Sequence, residues 1–372
     1  MEKLALLKLV LVVGFLLGGQ MPFGGLNVPE QDVVPVIVDM DVAPDDIGAL
    51  VYLLKHPGVS VQAVTVSCGI THVPWGVANV LRLLDYVGVR DIPVAAGKET
   101  PLVGDNAFPD EWRGGCYSFY GLELPVTDLH PSVMNASELI VSVISSSVEN
   151  ITLVATGPLT NIALALQADP SIKERIDVIH IMGGAVTVPG NVGFEYPAIP
   201  NYVAEWNIWV DPHAADIVFK SGVPITLIPL DATNEVPTTE EFRTRLESVM
   251  QTPEAEIVHQ LVRPEMGGYF WDQLAAVALT NSSVVTFESH YIEVLIDDEN
   301  QTGWTQSIAQ DPPNTQVAVH ADAELFEDLF IETINYFEPL PVFPGPLILG
   351  VVIVVGVAIS LTILVLRQRR NT

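Results

Sequence analysis

The chain has 372 residues, 49% hydrophobic and 16% charged, enough for one large domain or two ordinary ones. With 45 acidic against 16 basic residues the net charge is −29. A surface this acidic repels phosphate backbones, which excludes nucleic acid as a partner, and it suits sites that hold cations.

In chain order, residues 1–25 come first. An apolar run at 9–19 follows Lys3 and Lys8, the pattern of a signal peptide or an uncleaved N-terminal anchor. Residues 34–39 predict a buried strand and 45–55 a helix, then a strand at 59–66, a helix at 76–88 and a strand at 92–96. The alternation continues with a helix at 137–147, a strand at 151–156, a helix at 159–170 and a strand at 176–184 ending on two glycines. A helix at 211–222 and a strand at 224–230 follow; residues 238–268 are more helical and polar, and 291–298 and 315–322 are late strands. This order predicts an α/β fold with an open, mainly parallel sheet and helices on both faces. Residues 336–346 form a proline-rich spacer. Residues 347–366 carry no charge and, at about 1.5 Å per residue, match a bilayer core, so they predict a transmembrane helix. Arg367, Arg369 and Arg370 in the 367–372 tail would stay cytoplasmic, leaving everything before Leu347 outside the cell membrane. Cys68 and Cys116 have no metal-site spacing; one disulfide or two semi-buried thiols are both open.

The densest chemistry lies at the first strand end, where Asp39, Asp41, Asp45 and Asp46 fall within eight residues. Ligands of parallel α/β sheets bind beyond the carboxyl ends of the strands. Four carboxylates there repel one another unless a cation sits among them. Only oxygen ligands are offered, so Ca²⁺ or Mg²⁺ fits and Zn²⁺ does not.

Two families open with related motifs. Residues 39–42, DMDV, resemble the nucleophile motif of haloacid-dehalogenase-like phosphatases, which has no use for Asp45 and Asp46. Residues 39–46 resemble the DxDxxxDD motif of nucleoside hydrolases. Further blocks of that family are matched in order by LVATGPLTNIALAL at 153–166, IMGGAVTVPGN at 181–191 with AEWNIWVDPHAA at 204–215, and FWDQLAA at 270–276. The resemblance covers about residues 33–335, taken as one catalytic domain of the nucleoside hydrolase fold.

What the resemblance implies is Ca²⁺-dependent hydrolysis of the N-glycosidic bond of ribonucleosides to ribose and free base, in nucleoside salvage. Asp41, Asp46, Asp272 and the backbone carbonyl of Thr156 would hold Ca²⁺, and Asp41 would be the general base. Asp45, Glu205 and Asn207 would grip ribose hydroxyls. Asn191 would reach the 5′-hydroxyl side, with Asn201 as its rival. Family members are often dimers or tetramers, which allows for a homo-oligomer. Two departures stand out. Trp271 replaces the histidine that helps the base leave; it can stack on the base but is a weak donor, and His72 is the nearest substitute. Gly69 stands where many members have an asparagine that touches ribose. The alternative is a nucleoside- or ribose-binding surface protein with weak turnover on the same fold.

Overall fold

The computed structural model describes residues 33–298 and 300–336. The elements are β1 (Val34–Met40), α1 (Pro44–Lys55), β2 (Val59–Val66), α2 (Val73–Tyr86), β3 (Val94–Ala96), α3 (Asp110–Tyr117), α4 (Ala136–Ser146), β4 (Ile151–Ala155), α5 (Thr160–Ala168) and β5 (Ile176–Met182). They continue with α6 (Val192–Glu195), α7 (Trp206–Val210), α8 (Pro212–Phe219), β6 (Ile225–Ile228), α9 (Leu230–Thr233), α10 (Glu240–Val249), α11 (Pro253–Leu261), α12 (Trp271–Thr280), β7 (Val285–Val294), β8 (Thr305–Ile308), β9 (Thr315–Ala321) and α13 (Ala323–Ile334).

Local chemistry explains the key boundaries. β1 is a run of β-branched residues buried from Val36 onward, as expected of a strand covered on both faces. α1 starts on Pro44, whose missing N–H costs nothing in a first turn, and Asp45 and Asp46 suit the positive end of its dipole. α4 starts on a capping box: Asn135 accepts from the Glu138 N–H at 3.0 Å and the Glu138 carboxylate accepts from the Asn135 N–H at 3.0 Å.

The nine strands form one sheet in the order β3-β2-β1-β4-β5-β6-β9-β7-β8. Pairing is parallel from β3 to β9, and β7 joins β9 and β8 antiparallel. Chain order reverses direction between β1 and β4, the switch point where α/β sheets leave a crevice beyond the strand ends. Alternate side chains of β1 serve two cores. Val36, Val38 and Met40 pack with α1, α2, α12 and α13, while Ile37 packs with α4, α5 and α8.

The sheet agrees with the sequence expectation in class and order. The elements not anticipated are α3, the short helices α6, α7 and α9, the edge strand β8 and the last helix α13. The strand expected at 291–298 is Val285–Val294 and antiparallel, because β7 returns along β9 to close the sheet edge. The single-pass membrane placement is corrected: among the described residues no helix is long and apolar enough to cross a membrane. The expectations for residues 1–25, for 337–346, for 347–366 and for 367–372 lie outside the described residues.

Candidate active site

β1 ends in Met40, and its next residue, Asp41, is buried beside Asp46 of α1. The turn between them runs through Val42, which is buried at φ 66°, a conformation that a β-branched side chain adopts only under constraint. That turn folds Asp46 back on the chain. Its Oδ2 accepts from the Ala43 N–H at 2.7 Å and its Oδ1 from the Asp41 N–H at 3.3 Å. The Thr156 hydroxyl, just past β4, donates to Asp46 Oδ1 at 2.5 Å. Asp41 Oδ2 accepts from the Ile70 N–H at 2.8 Å. Gly69 allows that approach, since a Cβ there would lie 2.0 Å from Asp41 Oδ2. The position expected to have lost a ribose contact is thus the one that makes room for the general-base candidate.

Asp41, Asp45, Asp46 and Asp272 all line one cavity of about 880 Å³. Asp39 does not; it points to the other face of the sheet, where its Oδ1 accepts from Thr65 Oγ1 at 2.6 Å and Asn161 Nδ2 at 2.8 Å. The fourth carboxylate is therefore Asp272, brought in by the start of α12. One carboxylate oxygen each from Asp45, Asp46 and Asp272 can be chosen so that all three lie within 4.8 Å of one another. Asp45, expected only to grip ribose, belongs to this tight triplet, and Asp41 stands beside it.

Crowding shows in the acidities. Burial raises the Asp41 pKa above the usual carboxylate range. Burial and the Asp41 charge push Asp45 up to about 6. Asp46 and Asp272 are raised well above the normal value, first by burial and then by their neighbours' charges. Three buried carboxylates and the half-buried Asp45, offering only oxygen ligands, fit a hard divalent cation, which would keep them ionised together.

The far side of the floor comes from β5 and α7. Gly183 and Gly184 follow β5 with φ 156° and 80°, and the second turns its N–H onto Glu205 Oε2 at 2.9 Å. Glu205 also caps α7, accepting from the N–H groups of Asn207 at 2.9 Å and Ile208 at 3.3 Å. Burial outweighs these three bonds and pushes Glu205 up to about 7. Asn207 donates through Nδ2 to the carbonyls of Thr156 at 3.2 Å and Met182 at 3.3 Å. Both residues line the cavity, as does Asn191, whose Oδ1 is buried without a partner. Asn201 does not; its amide is spent on Thr302, Val203 and Ala204, holding a loop.

Trp271 lines the cavity next to Asp272, with its Nε1 buried and without a partner. His72 does not line it. Its ring is half-exposed, with Nδ1 3.2 Å from Glu99 and from Arg113, because it sits ahead of α2 on the outer side of its loop. Trp112 and Trp206 line the cavity and Trp209 packs behind them. Residues that sequence reasoning missed are Tyr120, Arg263, Tyr269 and Glu195. Phe119 and Tyr120 both have positive φ, 50° and 51°, and Arg263 Nη2 donates to the Tyr120 carbonyl. No local pattern marks these four; the FWDQLAA block ends the loop that carries Arg263 and Tyr269 and placed only that region near the site. The two cysteines are free and buried, 3.3 Å from Thr160 Oγ1 for Cys68 and 3.0 Å from the Tyr120 hydroxyl for Cys116.

The family model described as inosine-uridine preferring nucleoside hydrolase matches residues 36–328. The chain belongs to the nucleoside hydrolase family. A pyrimidine-specific ribonucleoside hydrolase from Shewanella sp. strain MR-7 is 33% identical over 320 residues, covering 82% of this chain and 97% of the relative. Among solved structures, a plant nucleoside hydrolase superposes with a TM-score of 0.73 at 28% identity, covering 82% of this chain and 99% of that one. A purine-preferring ribonucleoside hydrolase from Gardnerella vaginalis gives a TM-score of 0.72 at 28% identity, covering 81% and 98%. This nucleoside hydrolase is an N-glycosidase on the family's α/β fold.

Proposed function

We propose that this nucleoside hydrolase cleaves ribonucleosides to ribose and free base in a Ca²⁺-dependent reaction within the 33–335 domain. The observation that carries the reading is the convergence of Asp41, Asp45, Asp46, Asp272, Glu205 and Asn207 on one cavity at the β1/β4 switch point. Asp41, Asp46, Asp272 and the Thr156 carbonyl would hold the ion, with Asp45 at its edge. When bound, Ca²⁺ makes a ligated water more acidic and can accept hydroxyl ligands.

The chain's own groups supply the rest. Asp41, fixed by the Ile70 amide, takes the proton from the attacking water as general base. Glu205 is held by three backbone N–H groups and Asn207 by two carbonyls, so both present preset oxygens to ribose hydroxyls. Asn191 offers its unpartnered Oδ1 on the 5′ side, and Trp271 offers a ring face to the base. Negative charge around the ring favours the cationic transition state of C1′–N cleavage. A binding-only role gains no support from the geometry, since the general-base candidate is buried and oriented.

The test is base release from mixed purine and pyrimidine ribonucleosides, followed by chromatography, with and without chelator. Release that stops on chelation and returns with Ca²⁺ supports the reading. Release that persists at full rate after exhaustive chelation would sink the metal requirement.

A further inference from the structure

A base leaving C1′ takes the bonding electron pair and becomes an anion unless something protonates or pairs with it. Among the described residues that line the cavity there is no histidine, and the position before Asp272 is Trp271, whose indole N–H is a weak donor. The Tyr120 hydroxyl lies 3.0 Å from Cys116 Sγ. Burial, Cys116, Asp45 and Asp41 all push its pKa up, so it is a poor acid. The cavity wall carries seven carboxylates and one cation, Arg263. Arg113 is the other guanidinium nearby, but it does not line the cavity, and it is directed at Phe108, His72 and Asp110.

Arg263 lies at the end of the turn after α11, half-buried, eight residues before Trp271. One of its N–H groups is held by the Tyr120 carbonyl, and Tyr120 lies close enough to Asp45 and Asp41 to feel their charge. The clasp therefore brings the guanidinium to the same chamber as the ribose-side carboxylates, on the segment that carries the stacking tryptophan. Guanidinium has five N–H donors in a planar fork, so four remain for a ligand.

We propose that Arg263 is a catalytic residue of this hydrolase, pairing with the departing base and so taking the place of an acid. The proposal rests on the ribonucleoside reading above. In the step, the C1′–N bond breaks with its electron pair going to the base nitrogen, and water oxygen bonds to C1′ while its proton goes to Asp41. The base anion, held against Arg263, then takes a proton from solvent, and Asp41 returns its own to solvent.

The experiment compares ribonucleosides with p-nitrophenyl β-D-riboside, whose leaving group is a stable anion and needs no partner. The readout is the ratio of kcat/KM on the best nucleoside to that on the aryl riboside, because a poorly folded variant lowers both together. Arg263→Gln should lower this ratio about 100-fold, the scale of losing one charge-stabilising donor. Arg263→Lys, which keeps the charge without the fork, should lower it less and serves alone if the glutamine variant is insoluble. An unchanged ratio in both variants overturns the proposal. So does a collapse of the ratio in Tyr269→Phe with Arg263→Gln unaffected, which would make the phenol the donor. Wild-type enzyme that cleaves the aryl riboside but no nucleoside removes the underlying reading, and the proposal with it.

Discussion

The cavity has two unlike halves. Its floor is made of strand ends and helix starts, with Asp41, Asp46, Asp272 and Glu205 buried, and with Asp41, Asp46 and Glu205 held by backbone amides or a hydroxyl. Its outer wall is made of the 108–121 and 261–271 segments, aromatic, partly exposed, with two consecutive left-handed residues and an arginine clasp. The floor is built to hold charge in one arrangement. The wall is built from connections, which can vary without disturbing the sheet. On the proposed reading, water activation and the grip on ribose belong to the floor, and the handling of the base, its departure included, belongs to the wall.

The division can be broken or sharpened by mutation. Asp41→Asn should lower kcat by about 10³-fold on every nucleoside, within the range for general acid–base catalysis. A base-dependent loss would blur the two halves. Gly69→Ala should come next, near 10²-fold in kcat and with some loss of stability, because its Cβ would overlap buried Asp41 at 2.0 Å from Oδ2 and 2.3 Å from Cβ and force that side chain to move. Full activity in that variant would mean that Asp41 need not sit where it does. Trp271→Ala acts on the wall and should raise KM about 10-fold, unequally for purines and pyrimidines, as loss of a stacking face does. Equal effects on all bases would count against stacking.

The smallest effect is on stability and is read by thermal unfolding of chelator-treated protein. Burial raises Asp39 to about 7, Asp45 to about 6 and Glu205 to about 7, above the ordinary values of 3.8, 3.8 and 4.5. The folded chain then holds protons that the unfolded chain has released, so stability falls as pH rises from about 4 to about 7. The Tm without metal should be a few degrees lower at pH 7.5 than at pH 5.5, and Ca²⁺ should raise it most at pH 7.5. A metal-free Tm that climbs across that interval would contradict the crowding of the floor.

The floor was also the half legible in the sequence. Asp41, Asp45 and Asp46 are close in the chain, and the β-branched run before them fixes a strand end, so their meeting needs no tertiary information. Thr156, Glu205, Asn207 and Asp272 required the family's block order, and all four line the same cavity. Asp39 stands apart from the other three because it lies within β1, where Thr65 and Asn161 take up its carboxylate, whereas Asp41 lies just past the strand end. The wall was illegible for the complementary reason. Arg263 in isolation is an ordinary polar residue after a helix, and Tyr120 gains its place from a backbone conformation that sequence disfavours. His72 looked close in sequence to the strand end, yet the loop turns it towards Glu99.

Val42 links this chemistry to a distant lever. Its left-handed backbone stores roughly 1–3 kcal/mol, and its side chain is wedged beneath α2. A Cβ added at Gly76, on that helix, would stand 2.9 Å from Val66 and 3.1 Å from Val42. The helix therefore rests, at Gly76, against the valine that forms the turn between Asp41 and Asp46. Pressure applied at position 76, a helix turn that does not line the cavity, would be transmitted through one valine to the spacing of the carboxylates. Gly76→Ala should therefore lower kcat by a few-fold while leaving every group that lines the cavity unchanged in identity, as read by base release.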